Sequence, residues 1–152
     1  MREVLFRGKR MDNGKWVYGS LLVGFQKSYI CPEAIAMYNF NGTLCLGGFI
    51  EVSSESVGQY TGLMDKNGNR IFVGDMIKPF DDEVDKMVVE FHYGQFLLCL
   101  YGERGYMAEY GWEEEGNYGC LEAEPLSSYG DDIEVIGNIH DNQELLKGGA
   151  SE

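Results

Sequence analysis

Two histidines, His92 and His140, are the side chains of this 152-residue sequence best suited to act as general bases near neutral pH. His140 lies in the sequence NIHDN, where Asp141 could orient its ring for the activation of a nucleophile. No serine or cysteine lies in a nucleophile-elbow context such as G-x-S-x-G. The 25 acidic residues could include a catalytic carboxylate pair. A small hydrolase using carboxylates or His140 is therefore one alternative, and surface histidines near strand ends are the simpler interpretation.

A glycine-rich stretch, VGQYTGLMDKNGNRIFVGDMI at residues 57–77, most resembles a ligand-binding loop. A phosphate-binding P-loop needs a Lys-Ser or Lys-Thr pair after its last glycine, and none follows here. A calcium loop starting at Asp65 would need glycine and glutamate where the sequence has Arg70 and Met76. The cysteine and histidine spacings match no zinc motif. We therefore predict no metal or cofactor, and we interpret the stretch as a β-hairpin.

The same pattern occurs twice, in FRGKRMDNGKWVYGSLL at residues 6–22 and in YTGLMDKNGNRIFVGDMI at residues 60–77. In both, an aromatic-x-Gly precedes an Asn-Gly pair, which is followed by an apolar run containing a glycine. Asn-Gly between apolar runs predicts a hairpin closed by a type I′ turn, with positive φ at both turn residues. Each copy is therefore expected to form a hairpin, and the sequence leaves open whether the similarity is a duplication.

The remaining pattern also favours strands over helices. The chain has 21 glycines and 20 aromatic residues but only three prolines, which is typical of short strands joined by tight turns. Tyr93-Gly94 separates two strand-like runs, and the second, FLLCL, is apolar enough to be buried on both faces. The run at 132–139 predicts another strand, and Asp141 with Glu144 matches a capping box for one short helix.

Together these signals predict a mainly β fold. We expect a small barrel-like, SH3-like domain over residues 57–147 and an N-terminal hairpin sheet over residues 1–56. One short C-terminal helix should precede a disordered tail at residues 148–152. The N-terminus lacks the apolar core of a signal peptide, and no run approaches the length of a membrane span. A cytoplasmic protein that does not bind membranes, with reduced cysteines, is expected.

Charge is distributed unequally along the chain. Residues 1–80 hold nine basic and seven acidic side chains, whereas residues 81–152 hold three basic and eighteen acidic ones. Such an acidic half repels nucleic acid phosphates, so direct nucleic acid binding is not expected. It would suit a basic protein partner, and it also permits homo-oligomers in which the basic N-terminal segment of one copy meets an acidic face of another.

One stretch combines aromatic and acidic residues in a way typical of binding surfaces. It is YGERGYMAEYGWEEEGNYG, residues 101–119, in which tyrosines adjoin glycines and glutamates. Rigid aromatic side chains serve as anchors in protein interfaces, with charged residues at the rim. The predicted protein-binding residues are Tyr106, Tyr110, Trp112, Glu113 and Glu114.

The sequence resembles the YopX family of bacteriophage and prophage proteins. The matching pieces are FRGKR…GKWVYG near the start, the central segment 57–77, a later VVEF, and the closing IEVIGNIHDNQELL. The resemblance implies a phage-derived, largely β protein of the bacterial cytoplasm, and it implies no reaction and no catalytic residues. We therefore predict a non-enzymatic protein-interaction module. The alternatives are the small hydrolase and an acidic DNA mimic that inhibits a host nucleic-acid enzyme.

Overall fold

The computed structural model describes residues 2–32, 36–78, 87–103, 118–129 and 132–147. The chain folds into two compact units, Met1–Gly62 and Leu63–Glu152. All paired strands are antiparallel, and the only α-helix in the described ranges has five residues. The prediction of a mainly β, barrel-like fold is broadly confirmed, although the sheets of the described ranges do not close into a complete barrel.

Unit 1 contains six strands and the start of a seventh. They are β1 (Phe6–Lys9), β2 (Trp16–Gly24), β3 (Lys27–Cys31), β4 (Ala36–Phe40), β5 (Thr43–Gly47), β6 (Ile50–Val52) and β7 (Gly58–Met64), the last of which ends beyond Gly62. Strands β4 and β5 form a separate hairpin. The larger sheet has the order β6-β3-β2-β1-β7 within this unit.

This sheet curls because β6 also bonds to the residues at the end of β1. The Ser53 N–H donates to the Lys9 carbonyl at 2.8 Å, and the Met11 N–H donates to the Glu51 carbonyl at 3.0 Å. The curl brings Val52 against Gly8, where an added Cβ would lie 2.8 Å from the Val52 side chain. Glycine at position 8 is therefore needed for close packing.

Unit 2 contains the remaining strands and the helix. They are β8 (Arg70–Phe72), β9 (Asp75–Lys78), β10 (Met87–His92), β11 (Gln95–Glu103), β12 (Tyr118–Pro125), β13 (Glu134–Asn138) and α1 (Gln143–Lys147). Strands β9–β13 form a sheet in the order β12-β11-β10-β9-β13. Its buried core comprises Ile71, Ile77, Met87, Val89, Leu98, Leu126 and Ile133. Leu97, Leu98 and Cys99 are all buried, which confirms the prediction that β11 is covered on both faces.

The Asn-Gly pairs of the repeated pattern lie in hairpin turns, but the predicted turn type is wrong at both. Only the glycines, Gly14 and Gly68, have positive φ, at 70° and 81°. The first turn places four residues between Arg10 and Lys15, whose N–H and carbonyl groups bond at 2.9 Å. The second is one residue shorter and runs from Asp65 to Asn69. In loops longer than two residues, a single left-handed residue near the end is sufficient.

The two copies also differ after the turn. Gly19 lies inside the continuous strand β2, where a Cβ would meet the Cys31 carbonyl oxygen at 2.0 Å. Its counterpart Gly74 has a φ of 91° and separates β8 from β9. The carboxylate of Asp75, the first residue of β9, then accepts the Phe72 N–H at 2.8 Å. The shared pattern therefore encodes two hairpins with different continuations.

Asp65, the first residue of the rejected calcium pattern, is a buried carboxylate that binds backbone donors. Its Oδ1 accepts the N–H groups of Asn67 and Asn69, and its Oδ2 accepts the Val135 N–H. The Asn69 amide donates to Oδ2 as well. Burial alone would raise the pKa of Asp65, but these hydrogen bonds outweigh it and hold the pKa below its ordinary value. Asp65 thus joins the β7–β8 turn to β13.

The predicted C-terminal helix is present as α1, and its five residues make it a single short turn. Before it, the Asp141 carboxylate accepts a hydrogen bond from the Asn138 amide at 3.0 Å. No helix in the described ranges has the length and hydrophobicity required to cross a membrane. The predicted tail at residues 148–152 lies outside the described residues.

Candidate functional site

One surface of unit 1 brings basic, aromatic and apolar side chains together on a single face of the sheet. Successive strand residues point to opposite sides, and directly paired residues of neighbouring strands share a side. Lys9 is paired with Trp16, and Arg7 with Tyr18, so all four share a face with Leu22, which lies further along β2. We call the surface formed by these five residues the cationic aromatic face.

Two cations of this face lie against one indole ring. The Arg7 Cζ is 4.6 Å from the centroid of the Trp16 ring, and the Lys9 Nζ is 5.6 Å from it. The ring face carries partial negative charge, so it attracts both groups and partly offsets the cost of removing Arg7 from water. Arg7 is only 6% exposed, whereas Lys9 and Trp16 are half-buried. The arrangement fixes positive charge beside an apolar surface.

Two other cations of unit 1 are held by acidic neighbours. Arg10 donates to Asp12 at 2.7 Å, and Lys27 lies 3.0 Å from Glu51. The hydrogen bond with Asp12 raises the pKa of Arg10, and the bond with Glu51 raises that of Lys27. Each pair is neutral as a whole, so it adds little to the potential around it.

The apolar part of the face continues into the hairpin that joins β2 to β3. Tyr18 and Leu22 on this face are about half-exposed, and Phe25 at the tip of the hairpin is 100% exposed. Gly24 is paired with Lys27, so the turn consists of Phe25 and Gln26 alone. Their φ angles are 52° and 63°. Both residues are therefore in the left-handed region, which is unfavourable for a bulky side chain.

A turn in unit 2 likewise places an exposed aromatic residue in left-handed backbone. His92 is paired with Gln95, which leaves Tyr93 and Gly94 as the two turn residues. Tyr93 is 98% exposed and has a φ of 53°. The turn between β4 and β5 has the same two-residue form, but it is made by Asn41 and Gly42, the residues that suit left-handed backbone best. We call the turns at Phe25 and Tyr93 the aromatic turns.

Among the described residues of unit 2, two side chains with catalytic potential, Cys99 and His92, both contact Glu90. The Cys99 thiol donates to Glu90 Oε2 at 3.5 Å, and His92 Nε2 lies 2.5 Å from the same oxygen. Cys99 is fully buried, so it is not placed to attack a substrate. His140 follows β13, which is separated from the β10 strand of His92 by β9.

Within the described ranges, no cluster of three or more histidine, cysteine or acidic side chains could hold a metal ion. The backbone N–H of His140 donates to the Asn138 side chain at 3.0 Å, which places the histidine in a turn. The hydrolase alternative stays a prediction.

The predicted protein-binding residues lie outside the described part of the chain. Tyr106, Tyr110, Trp112, Glu113 and Glu114 all belong to residues 104–117, between the paired residues Glu103 and Tyr118. Their proposed role therefore stays a prediction.

Phe25 was missed by the sequence reasoning. The residues of its turn, Phe25 and Gln26, have no preference for turns, and only the neighbouring Gly24 hinted at one.

Comparison with known proteins agrees with the resemblance seen in the sequence. Residues 5–147 match the family described as YopX protein. The chain belongs to the YopX family. No curated protein matches it. A similar solved structure is the crystal structure of protein EF1440 from Enterococcus faecalis, with 21% identity and a TM-score of 0.51. The match covers 96% of this chain and 99% of that one, which supports the fold over nearly its whole length.

Proposed function

We propose that this YopX-family protein is a non-enzymatic protein-interaction module whose aromatic turns serve as anchors. The observation that carries the proposal is the complete exposure of Phe25 and Tyr93 at left-handed turn positions. The acidic, tyrosine-rich segment 101–119 is proposed as a further contact region. The family resemblance implies a phage or prophage origin, and we propose that the interaction takes place in the bacterial cytoplasm.

These two aromatic side chains contribute little to the packing of the fold. An exposed ring at the tip of a turn makes little packing contact, and its left-handed backbone adds strain. The turn at Asn41 and Gly42 shows that the same chain closes such a hairpin with better-suited residues. Strained, exposed aromatic positions are typical of functional sites, and aromatic side chains contribute strongly to protein interfaces.

Photo-crosslinking tests the proposal. A benzophenone amino acid placed at position 25 or 93 should crosslink a distinct bacterial protein in a host lysate. Controls carry the same group at Met11 and Met64, which are also exposed but lie outside the aromatic turns. Crosslinks of equal yield at the control positions, or none at the turns, would refute the role of the turns.

A competition experiment then distinguishes a specific anchor from a surface that binds proteins nonspecifically. Unlabelled wild-type protein should suppress the crosslink, whereas the Phe25→Asn or Tyr93→Asn variant should fail to suppress the crosslink at its own position.

To test the hydrolase alternative, His140→Ala and the wild type are compared on ester and glycoside substrates. Turnover by the wild type that is lost in His140→Ala would replace the proposal with that alternative.

A further inference from the structure

We propose that the open edge of strand β2 pairs with the same edge of a second copy, so that two chains share one sheet. The open β2 edge comprises Leu21, Leu22 and Val23, on the side of the strand that faces away from β3. The inference concerns self-association, so it goes beyond the proposed function and depends on neither of the aromatic turns.

The direction of the backbone groups along this edge follows from the pairing of β2 with β3. Gly24 and Lys27 close a two-residue turn, so the N–H and carbonyl groups of Gly24 bond to β3. In an antiparallel ladder, bonding to one neighbour recurs at every second residue. The backbone groups of Leu22 therefore also bond to β3, whereas those of Leu21 and Val23 point the opposite way.

The side of β2 that faces away from β3 is occupied by β1 over only part of its length. The Lys15 carbonyl accepts the Arg10 N–H at 2.9 Å, and pairing with β1 continues as far as Gly19, which lies opposite Phe6. The ladder ends there, because β1 begins at Phe6. Within the described ranges, no strand is paired with this side of residues 21–23.

Two other sheet edges carry features that hinder further pairing. The outer side of β6 bonds to the end of β1, as described above. On β13, the Val135 N–H donates to Asp65 at 3.1 Å, and the register shifts between Val135 and Gly137. Bulges and bonded edges of this kind prevent sheets from adding strands.

The open β2 edge lacks the usual protection of an edge strand. The segment SLLVGFQ, residues 20–26, has no charged residue and no proline. Leu22 is 47% exposed and Val23 is 65% exposed, although they point to opposite faces of the strand. An exposed apolar edge without charges is a template for pairing with another strand.

A second copy satisfies the backbone groups that this edge leaves open. When two β2 strands run antiparallel about a two-fold axis at Leu22, Leu21 of each copy lies opposite Val23 of the other. These opposed residues point their backbone groups at one another, so each pair exchanges both of its N–H···O bonds. The side chains that meet are all apolar, because Leu22 faces Leu22 and Leu21 faces Val23.

The charge distribution also favours a contact at this place. Residues 1–62 hold six basic and five acidic side chains, a net charge of +1, whereas residues 63–152 hold six and twenty, a net charge of −14. Two copies that meet through the uncharged residues 20–26 bring no like charges into direct opposition. Because the rest of each copy is acidic, added salt should strengthen the association by screening the repulsion.

Disulfide trapping tests the register. Position 22 of each copy faces itself in the proposed pair, with Cα atoms about 4.5 Å apart, which a disulfide can span. With Cys45 and Cys120 replaced by serine, Leu22→Cys should form a covalent dimer under mild oxidation. Val23→Cys is the matched exposed control. Its counterpart is displaced along the strands beyond the reach of a disulfide, so it should give at least about fivefold less dimer.

Sedimentation velocity tests the hydrogen bonds between the copies. Val23→Pro removes an N–H that points away from β3, so it spares the β2–β3 ladder and removes a bond to the second copy. It should weaken dimerisation at least about tenfold, whereas Val23→Thr, which keeps the N–H and the branched shape, should not. Thermal melts verify that both variants are folded. The wild-type dimer should become tighter between 0.02 M and 0.5 M NaCl.

Equal trapping of Leu22→Cys and Val23→Cys, or no covalent dimer from either, overturns the inference. A dimer that a folded Val23→Pro variant retains at full strength overturns it as well. If the copies do not pair while positions 25 and 93 still crosslink a different bacterial protein, the proposed function stands and this inference alone fails. If the copies pair and no such crosslinks appear, only the proposed function fails.

Discussion

At the scale of single residues, Asp65 shows how hydrogen-bond donors can stabilise a buried carboxylate that links distant parts of the chain. Three backbone N–H groups and one side-chain amide surround it, and one of those donors comes from β13, 70 residues further along the chain. Because these donors stabilise the ionised form, folding and ionisation of Asp65 are linked.

We predict that Asp65→Asn lowers the free energy of unfolding at pH 7 by about 1–3 kcal/mol, because an amide cannot accept all four hydrogen bonds. The pKa of Asp65 is lowered in the folded state, so its stabilisation is complete above the ordinary aspartate pKa of about 4. It is lost as the pH falls below that value. Urea unfolding at pH 7 and pH 3 should show the difference between variant and wild type shrinking at low pH. Asp12→Asn, at an exposed ion pair, is the matched control and should show a much smaller change, because solvent screens the pair.

Glycine at position 19 is required by its neighbours and not by its backbone angles. An added Cβ would lie 2.0 Å from the Cys31 carbonyl oxygen and 2.6 Å from its carbon, and backbone atoms cannot move aside cheaply. We predict that Gly19→Ala lowers the free energy of unfolding by about 3 kcal/mol or more.

The matched controls are other glycines of the same sheet. At Gly8 the obstacle is the Val52 side chain, so Gly8→Ala should cost about 1–3 kcal/mol. Gly24 has nothing within 4 Å, so Gly24→Ala should stay within about 0.5 kcal/mol of wild type. Thermal or urea unfolding that ranks Gly19→Ala with Gly24→Ala would contradict the argument.

At the scale of elements, the aromatic turns predict a conflict between stability and binding. Tyr93→Asn would create an Asn-Gly turn with the φ angles already present, and it would remove a ring that is 98% exposed. We predict a gain of about 0.5–1 kcal/mol in the free energy of unfolding, because asparagine tolerates left-handed backbone far better than tyrosine does.

The reverse substitution Asn41→Tyr is the control, and it should destabilise the protein by a similar amount because it places a tyrosine in the equivalent turn. Both changes can be measured by thermal unfolding. If Tyr93→Asn destabilises the protein, the ring makes stabilising contacts in the fold, and the argument from strain fails.

Hairpins were predictable from the sequence where standard turn residues mark them. Tyr93-Gly94 was correctly placed between two strands because glycine follows the tyrosine and apolar runs flank the pair. The Phe25 turn was not predicted, because the tertiary pairing of β2 with β3 forces two unsuited residues into left-handed backbone. The turn type predicted for Asn13-Gly14 was wrong for a related reason. Loop length is set by strand register, which the local sequence does not reveal.

The candidate site was less predictable than the fold. Residue types pointed to segment 101–119, whereas the cationic aromatic face depends on cross-strand pairs such as Lys9 with Trp16. Lys9 and Trp16 become neighbours only when β1 and β2 pair in their register, so no short sequence motif predicts their contact.

At the scale of the whole molecule, the concentration of negative charge in unit 2 should oppose its folding. Its net charge of −14 creates self-repulsion in the compact state, which salt screens. We predict that the urea midpoint rises between 0.02 M and 0.5 M NaCl. The measurement uses dilute protein, at which any dimer has dissociated. A midpoint that falls with added NaCl would show that ion pairs such as Lys66 with Glu134, at 2.7 Å, outweigh the repulsion.

Cys31 in unit 1 and Cys99 in unit 2 are both buried thiols. A reagent such as a disulfide dye can reach a buried thiol only when the surrounding structure opens, so its reaction rate measures that opening. With Cys45 and Cys120 replaced by serine, variants that keep only one of these two thiols would give a separate opening free energy for each unit. The native sequence therefore carries a kinetic probe for each half, and it can reveal whether the two units open together or one before the other.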